Sequence, residues 1–251
     1  MAPRKPRIGL VGIMQAIYDD MLPGITERQA AYAQQVAAHL ADAADVQFTK
    51  PIKSRADIEE VVAGYARDGV DGLLVVMLTF GPAMRIIRAL GDTHLPILLA
   101  NIQPERSITD RWDMGDMTYN QGIHGAQDTA NTLVRLGKRF AVITDDWRAP
   151  EFKRRFADWA YAAAAAAAWR KMKIAVFGYA MEGMGDIRVD EHSFLKNLGP
   201  EIHYLAPGDL YRAMQAVPAE QVRAIIETEN RTFQIDPRLT AGQREESARY
   251  Q

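Results

Sequence analysis

Short apolar runs alternate along this chain with longer stretches in which apolar residues return every three or four positions. The runs Ile8–Ile13, Val46–Phe48, Asp71–Met77, Pro96–Ala100 and Arg139–Thr144 predict five buried strands. Asp71–Met77 is apolar on both faces, as an interior parallel strand must be. Between the runs, helices are predicted over Pro23–Asp42, Ser54–Arg67, a segment opening at Pro82, and Met117–Leu136. Ser54 with Asp57 three residues on is close to a capping box, and Pro82 suits a first helical turn. Met14–Asp20 reads as a loop and Glu105–Gly115 as irregular. Strand and helix alternate five times with short connections. With right-handed crossovers, that rhythm predicts an α/β fold with a doubly wound parallel sheet, Rossmann- or flavodoxin-like.

Beyond Pro150 the pattern changes. Glu151–Arg170 predicts one long helix, carrying seven consecutive alanines from Ala162 to Ala168; alanine is the best helix former. Lys173–Gly178 opens a second α/β pattern. The expected organisation is therefore an N-terminal α/β domain over 1–170 and part of a second over 171–251. In the second, Ile202–Leu205 is expected as a strand, Pro207–Ala216 and Pro218–Glu227 as helices, and a last helix begins at Pro237. No stop signal closes that helix before Gln251, so the second domain is expected to be incomplete.

Composition narrows the classes. The chain has 251 residues, 48% of them apolar and 25% charged, with a net charge of −2. That balance gives no general attraction to nucleic acid or anionic lipid. Cysteine is absent, which excludes disulfides, zinc ribbons and thiol nucleophiles. The basic start, Met1 to Arg7, is followed by an apolar run too short for a signal peptide, and no run spans a bilayer. A cytoplasmic protein is expected.

In a doubly wound sheet ligands sit beyond the carboxyl ends of the strands. Here those ends carry Gln15, Phe80, Gln103, and Asp145 with Trp147. Amides hydrogen-bond sugar hydroxyls and aromatic faces cover sugar C–H patches. The stretch Tyr119-Asn-Gln-Gly-Ile-His-Gly125 adds an amide, Gln121, and an imidazole, His124, three residues apart and so on one face if helical. Together they donate and accept hydrogen bonds. Asn120, Gly122 and Gly125 leave room for something bulky to approach. Two readings stay open: a polyhydroxylated ligand, or a polar helix start with Asn120 as cap and His124 at the surface. Gly9-Leu-Val-Gly12 does not have the glycine spacing of a dinucleotide fingerprint. Asp190-Glu191-His192 reads better as an acidic helix start than as a metal site, because consecutive side chains diverge. Asp145-Asp146 could hold a cation or cap the helix that follows. No nucleophile elbow is present. His39 and His94 read as plain, and His203 as packing.

Five stretches in order resemble the N-terminal half of the L-arabinose isomerase group, within the L-arabinose/L-fucose isomerase superfamily. They are Gly12-Ile-Met-Gln15-Ala-Ile-Tyr18, Asp71-Gly-Leu-Leu-Val-Val-Met-Leu-Thr-Phe80-Gly-Pro-Ala83, Pro96-Ile-Leu-Leu-Ala-Asn-Ile-Gln103, Asp116-Met-Thr-Tyr-Asn-Gln121-Gly-Ile-His124-Gly125 and Phe177-Gly-Tyr-Ala-Met181. The resemblance implies a metal-dependent aldose–ketose isomerase of a pentose or hexose, with manganese as the cofactor. It implies that Gln15 and Phe80 line the sugar pocket with Tyr18 nearby, and that Met181 lies over the substrate from the next domain. It further implies a homo-oligomer with active sites between subunits, Gln121 and His124 serving the neighbour's pocket. The family's metal ligands and acid–base groups, two glutamates and two histidines, match no stretch here. Neither catalytic residues nor metal ligands are therefore expected in this chain, which alone should not isomerise sugar. Tyr179-Ala180 departs from the polar pair expected before Met181, which leaves the particular sugar open. The competing expectation is a non-catalytic sugar-binding or sensing α/β module.

Overall fold

Alternation along each strand decides which residues share a core. In the computed structural model, which describes residues 4–251 (only the backbone at Ile187), five parallel strands form one sheet. They are β1 (Arg7–Ile13), β2 (Asp45–Phe48), β3 (Gly72–Met77), β4 (Ile97–Asn101) and β5 (Ala141–Thr144), in the order β2-β1-β3-β4-β5. The helices between them are α1 (Ile17–Met21), α2 (Ile25–His39), α3 (Arg55–Arg67), α4 (Ala83–Asp92), α5 (Met114–Tyr119) and α6 (Gly122–Arg135), followed by α7 (Pro150–Arg170). Ile8, Leu10, Leu74, Val76, Leu98 and Ala100 point to one face, where Tyr32, Ala33 and Val36 of α2 and Phe152 and Phe156 of α7 cover them. Val11, Ile13, Leu73, Val75, Ile97 and Leu99 point to the other, under Ile58 and Tyr65 of α3, Ile86 and Leu90 of α4, and Leu133 of α6. The period of two along each strand thus yields two separate cores and a doubly wound sheet. The rims differ from the centre: β3 is buried throughout, whereas the edge strands β2 and β5 are largely half-exposed or exposed.

The glycines of β1 serve this packing. A Cβ on Gly9 would stand 2.4 Å from the Tyr65 ring. The bare backbone lets that ring lie on the strand, with its hydroxyl 3.0 Å from the Leu10 carbonyl. Ser54 and Asp57 close a full capping box on α3. Pro82 sits one position earlier than expected, at the N-cap of α4. That start is completed from a neighbouring helix, because Asp128 of α6 accepts the Ala83 N–H at 2.8 Å.

The stretch read as a loop after β1 contains the short helix α1. The single helix expected over Met117–Leu136 is two helices. One starts early because Asp113 and Asp116 form a capping box inside the stretch read as irregular, and the chain breaks at Asn120-Gln121 before α6. The remaining elements are β6 (Lys173–Phe177), α8 (Glu191–Leu198), β7 (Glu201–Leu205), α9 (Pro207–Ala216), α10 (Ala219–Thr232) and α11 (Ala241–Tyr250). β6 and β7 pair in parallel. The last helix starts at Ala241 rather than Pro237, because Thr240 and Gln243 form its capping box. Asp236, just before Pro237, instead holds the Arg238 N–H. The chain divides into two compact units, Met1–Ala168 and Trp169–Gln251. Among the described residues no helix is long and apolar enough to cross a membrane.

One buried charge ties the start of the chain to the sheet. Asp71, 1% exposed, receives both Arg4 guanidinium nitrogens at 2.8 and 2.6 Å and the Arg7 N–H at 2.9 Å. Burial pushes its carboxyl pKa up, but the Arg4 fork and the Arg7 N–H more than offset this and hold it below the usual range. The unfolded chain therefore binds the proton more readily, so this stabilisation is present above the ordinary carboxylate pKa and is lost as pH falls through the lower folded value. Asp71→Ala is expected to lower stability by about 2 kcal/mol at pH 7. Urea titrations should show the gap between variant and parent closing as pH falls towards 3.

Candidate functional site at the carboxyl edge of the sheet

Because all five strands run parallel, the segments after them gather at one edge. β2 lies on one side of β1 and β3 on the other, so the connections from β1 and β3 leave in opposite directions. The crevice between them is where such sheets bind ligands. Gln15 and Phe80 stand on its two sides, and the Gln15 N–H reaches the Thr79 hydroxyl at 3.3 Å. Helix α1 then turns Tyr18 back over the edge. Its hydroxyl lies 3.5 Å from Gln121 Oε1, and the Gln15 side chain stands near enough to act on its pKa. Burial pushes the Tyr18 phenol pKa up and the Gln15 side chain offsets part of that. Two amides and a phenol, from the segment after β1 and the start of α6, thus gather into one polar group, and all three side chains are half-buried or less. Such a group can both donate to and accept from hydroxyls.

Packing against the sheet sets the position of Gln121. It is the N-cap residue of α6, with no side-chain cap bond. A Cβ on Gly122 would stand 2.3 Å from the Met77 carbonyl oxygen, and one on Gly125 2.5 Å from Met77 Cε. The two glycines therefore admit the end of β3, not a bulky ligand. Asn120, expected as a cap for α6, holds the preceding loop instead. Its side chain accepts the Glu105 N–H at 2.8 Å and donates to the Glu105 carbonyl at 3.3 Å.

The other expected residues fall elsewhere. His124 is exposed on the first turn of α6, outside the Gln15–Tyr18–Gln121 group. Met181 belongs to the second unit, in the turn after β6, and is 68% exposed. Gln103 is at the edge but bonds Asn101 at 3.1 Å, which bonds Thr144 at 3.3 Å across the β4–β5 tips. Asp145 and Asp146 shape a turn: they accept the N–H groups of Asp146 and Arg148 at 2.8 and 3.0 Å. Asp190 caps α8 through the Ser193 N–H. His203 is not packed; it is exposed, with its ring 3.2 Å from Glu201. His39 is not plain either. Its ring lies edge-on to Trp147, and burial lowers its pKa. Among the described residues no three His, Cys, Asp or Glu side chains are grouped to hold a metal ion. The donor set of this part of the chain does not fit manganese.

Sequence reading missed the residues that hold the α5–α6 break. Gln29, fully buried on α2, donates to the Tyr119 carbonyl at 2.8 Å. The Arg28 guanidinium lies 3.4 Å above the centre of the Tyr119 ring, a cation–π contact. Beside them opens a cavity of about 340 Å³ lined by Leu22, Gly24, Arg28, Asp113, Asp116 and Tyr119. One signal was available for Gln29: it sits on the apolar stripe of α2 with Ile25, Tyr32 and Val36.

Strand order and edge together define a doubly wound, flavodoxin-ordered α/β domain with its polar group at the switch point. The chain belongs to the L-arabinose isomerase N-terminal domain family, whose model matches residues 6–171. It is 27% identical over 219 residues to an L-arabinose isomerase of Aeromonas hydrophila, covering 85% of this chain and 44% of that protein. An L-arabinose isomerase of Cellvibrio japonicus is 28% identical over 224 residues, 86% of this chain and 45% of that one. Another, from Bifidobacterium longum, is 28% identical over 82% of this chain and 43% of its own length. The chain thus spans a little under half the length of these curated relatives. A carbohydrate transporter from Acidothermus cellulolyticus 11B, solved with myo-inositol, reaches a TM-score of only 0.25 at 11% identity, over 83% of this chain and 78% of that one. That likeness carries no argument.

A methyl group at Gly122 would meet backbone that cannot move aside. Gly122→Ala is expected to cost about 2 kcal/mol, read by urea unfolding of the chain. Gly64→Ala, in open space on α3 with only the tip of Arg67 at 3.8 Å, is expected to gain about 0.5–1 kcal/mol.

Proposed function

We propose that this chain forms the N-terminal part of an aldose–ketose sugar isomerase acting on L-arabinose or a related pentose or hexose. The observation that carries the reading is the family match over residues 6–171, with relatives named L-arabinose isomerase. The grouping of Gln15, Tyr18 and Gln121 at the switch point supports it, because a sugar offers hydroxyls that need both donors and acceptors. In this reading Gln15 and Tyr18 orient the sugar and Phe80 shields one of its faces. The exposed His124 and, just before it on α6, Gln121 serve a site shared with a neighbouring subunit. Moving a proton between two sugar carbons requires an acid–base group at those carbons. None of the residues proposed here to bind is assigned that role, and among the described residues no metal ligand set is grouped. The chain's own part is to bind and orient, while manganese and the acid–base groups belong to the remainder of the enzyme.

An assay of the complete enzyme with L-arabinose, D-galactose and L-fucose, with and without manganese, tests the reading. Metal-dependent turnover of at least one is expected, and no turnover on any would overturn it. Within an active enzyme, Gln15→Ala and Tyr18→Phe are each expected to raise KM on the order of 5–10-fold, the worth of one lost hydrogen bond. The 251-residue chain alone is expected to give no turnover. Micromolar sugar binding by that chain without metal, measured by calorimetry, would favour a non-catalytic binding module.

A further inference from the structure

Four side-chain polar atoms among the described residues are sealed from solvent without a protein partner: Gln29 Oε1, Tyr32 Oη, His39 Nε2 and Trp147 Nε1. They are not scattered. Gln29, Tyr32 and His39 lie on α2 at spacings of three and seven, which put them along one face. Trp147, in the loop after β5, packs edge-on against both rings, 5.9 Å from Tyr32 and 5.6 Å from His39 between centres. Gln29, Tyr32 and Trp147 are 0%, 2% and 6% exposed. Arg148 lies over the indole at 4.3 Å and donates to the Pro104 carbonyl at 3.0 Å, which closes the seam from outside.

Buried polar groups without partners are rare, because each forfeits its bonds to water on folding. Tyr32, His39 and Trp147 share one seam and Gln29 stands about one helical turn before Tyr32, so they need a common explanation. The chemistry of the four is mixed: an indole N–H can only donate, an amide oxygen can only accept, a phenol does both, and an imidazole does either according to its tautomer. Water answers that set, since one molecule accepts from the phenol or indole and donates to the amide oxygen. Proteins bury roughly one water per 27 residues, each making about three hydrogen bonds, so several are expected in a unit of this length. At such low exposure an organic ligand has no way in.

We infer that the seam between α2 and the loop after β5 is a binding site for internal water joining Gln29, Tyr32 and Trp147. The site links three parts of the carboxyl edge. Gln29 also holds the Tyr119 carbonyl before Gln121, Trp147 belongs to the segment after β5, and Tyr32 to the helix beneath both. Water there fixes the underside of the edge independently of any reaction the edge supports.

Crystals of the full chain that diffract well enough to order water, or water-to-protein magnetisation transfer by NMR, test the inference directly. The expected result is water within hydrogen-bond distance of Tyr32 Oη and of Gln29 Oε1 or Trp147 Nε1. A dry seam, with the indole N–H aimed into the Tyr32 ring instead, overturns it. Stability provides the second measurement. With water bound, Tyr32→Phe strands it and is expected to lower the folding equilibrium constant about fivefold. Gln29→Met combined with Tyr32→Phe should then cost less than the two separately, because they share the water. A Tyr32→Phe protein as stable as its parent, or more so, would mean that the hydroxyl had no partner to lose.

Discussion

The carboxyl edge depends on one close approach, that of Gly122 to the carbonyl of Met77. Met77 ends the central strand, and α6 reaches it only because Gly122 and Gly125 carry no side chain. The approach fixes where α6 begins and therefore where its N-cap residue, Gln121, stands. From that position the Gln121 amide meets Tyr18, near which the side chain of Gln15 stands. A methyl group at Gly122 would displace the helix and break a contact between residues 103 positions apart.

Around that contact the structure places ties that the sheet by itself does not need. Gln29 holds the Tyr119 carbonyl, Arg28 covers the Tyr119 ring, and Asn120 clasps the Glu105 backbone. Short interruptions between helices leave backbone groups unpaired, and Gln29 pairs one of them, the Tyr119 carbonyl. The result is a break between α5 and α6 held by side chains of α2 and of the break itself. Positions at the carboxyl end of a doubly wound sheet are where ligand groups are held, and Gln121 stands at that end.

The match to the L-arabinose isomerase N-terminal domain family, over residues 6–171, takes in the sheet and this edge. The first unit holds the sheet, the edge and the polar group. No grouping of acids and histidines suited to a cation accompanies them among the described residues. In the proposed reading a polyhydroxylated molecule is held by amides, a phenol and an aromatic face. Those are the groups found at the ends of β1 and β3 and at the start of α6.

Much of the fold was legible along the chain. Period-two and period-3.6 patterns located the five strands and most of the helices, because burial on two faces leaves uninterrupted apolar runs in β1, β3 and β4. The parallel order that they imply places Gln15, Phe80 and Gln103 at one edge. The break at Asn120-Gln121 was not legible, since nothing local distinguishes a glycine that admits another strand from one that admits a ligand. Nor did local pattern separate Tyr18, which meets Gln121, from Gln103, which is bonded to its own strand's end. Sequence by itself determined the elements, their order and the edge on which the polar residues gather, since these follow from periodicity and chirality. Which of those residues touch was decided by tertiary packing, because contact across a hundred positions depends on how closely two backbones approach.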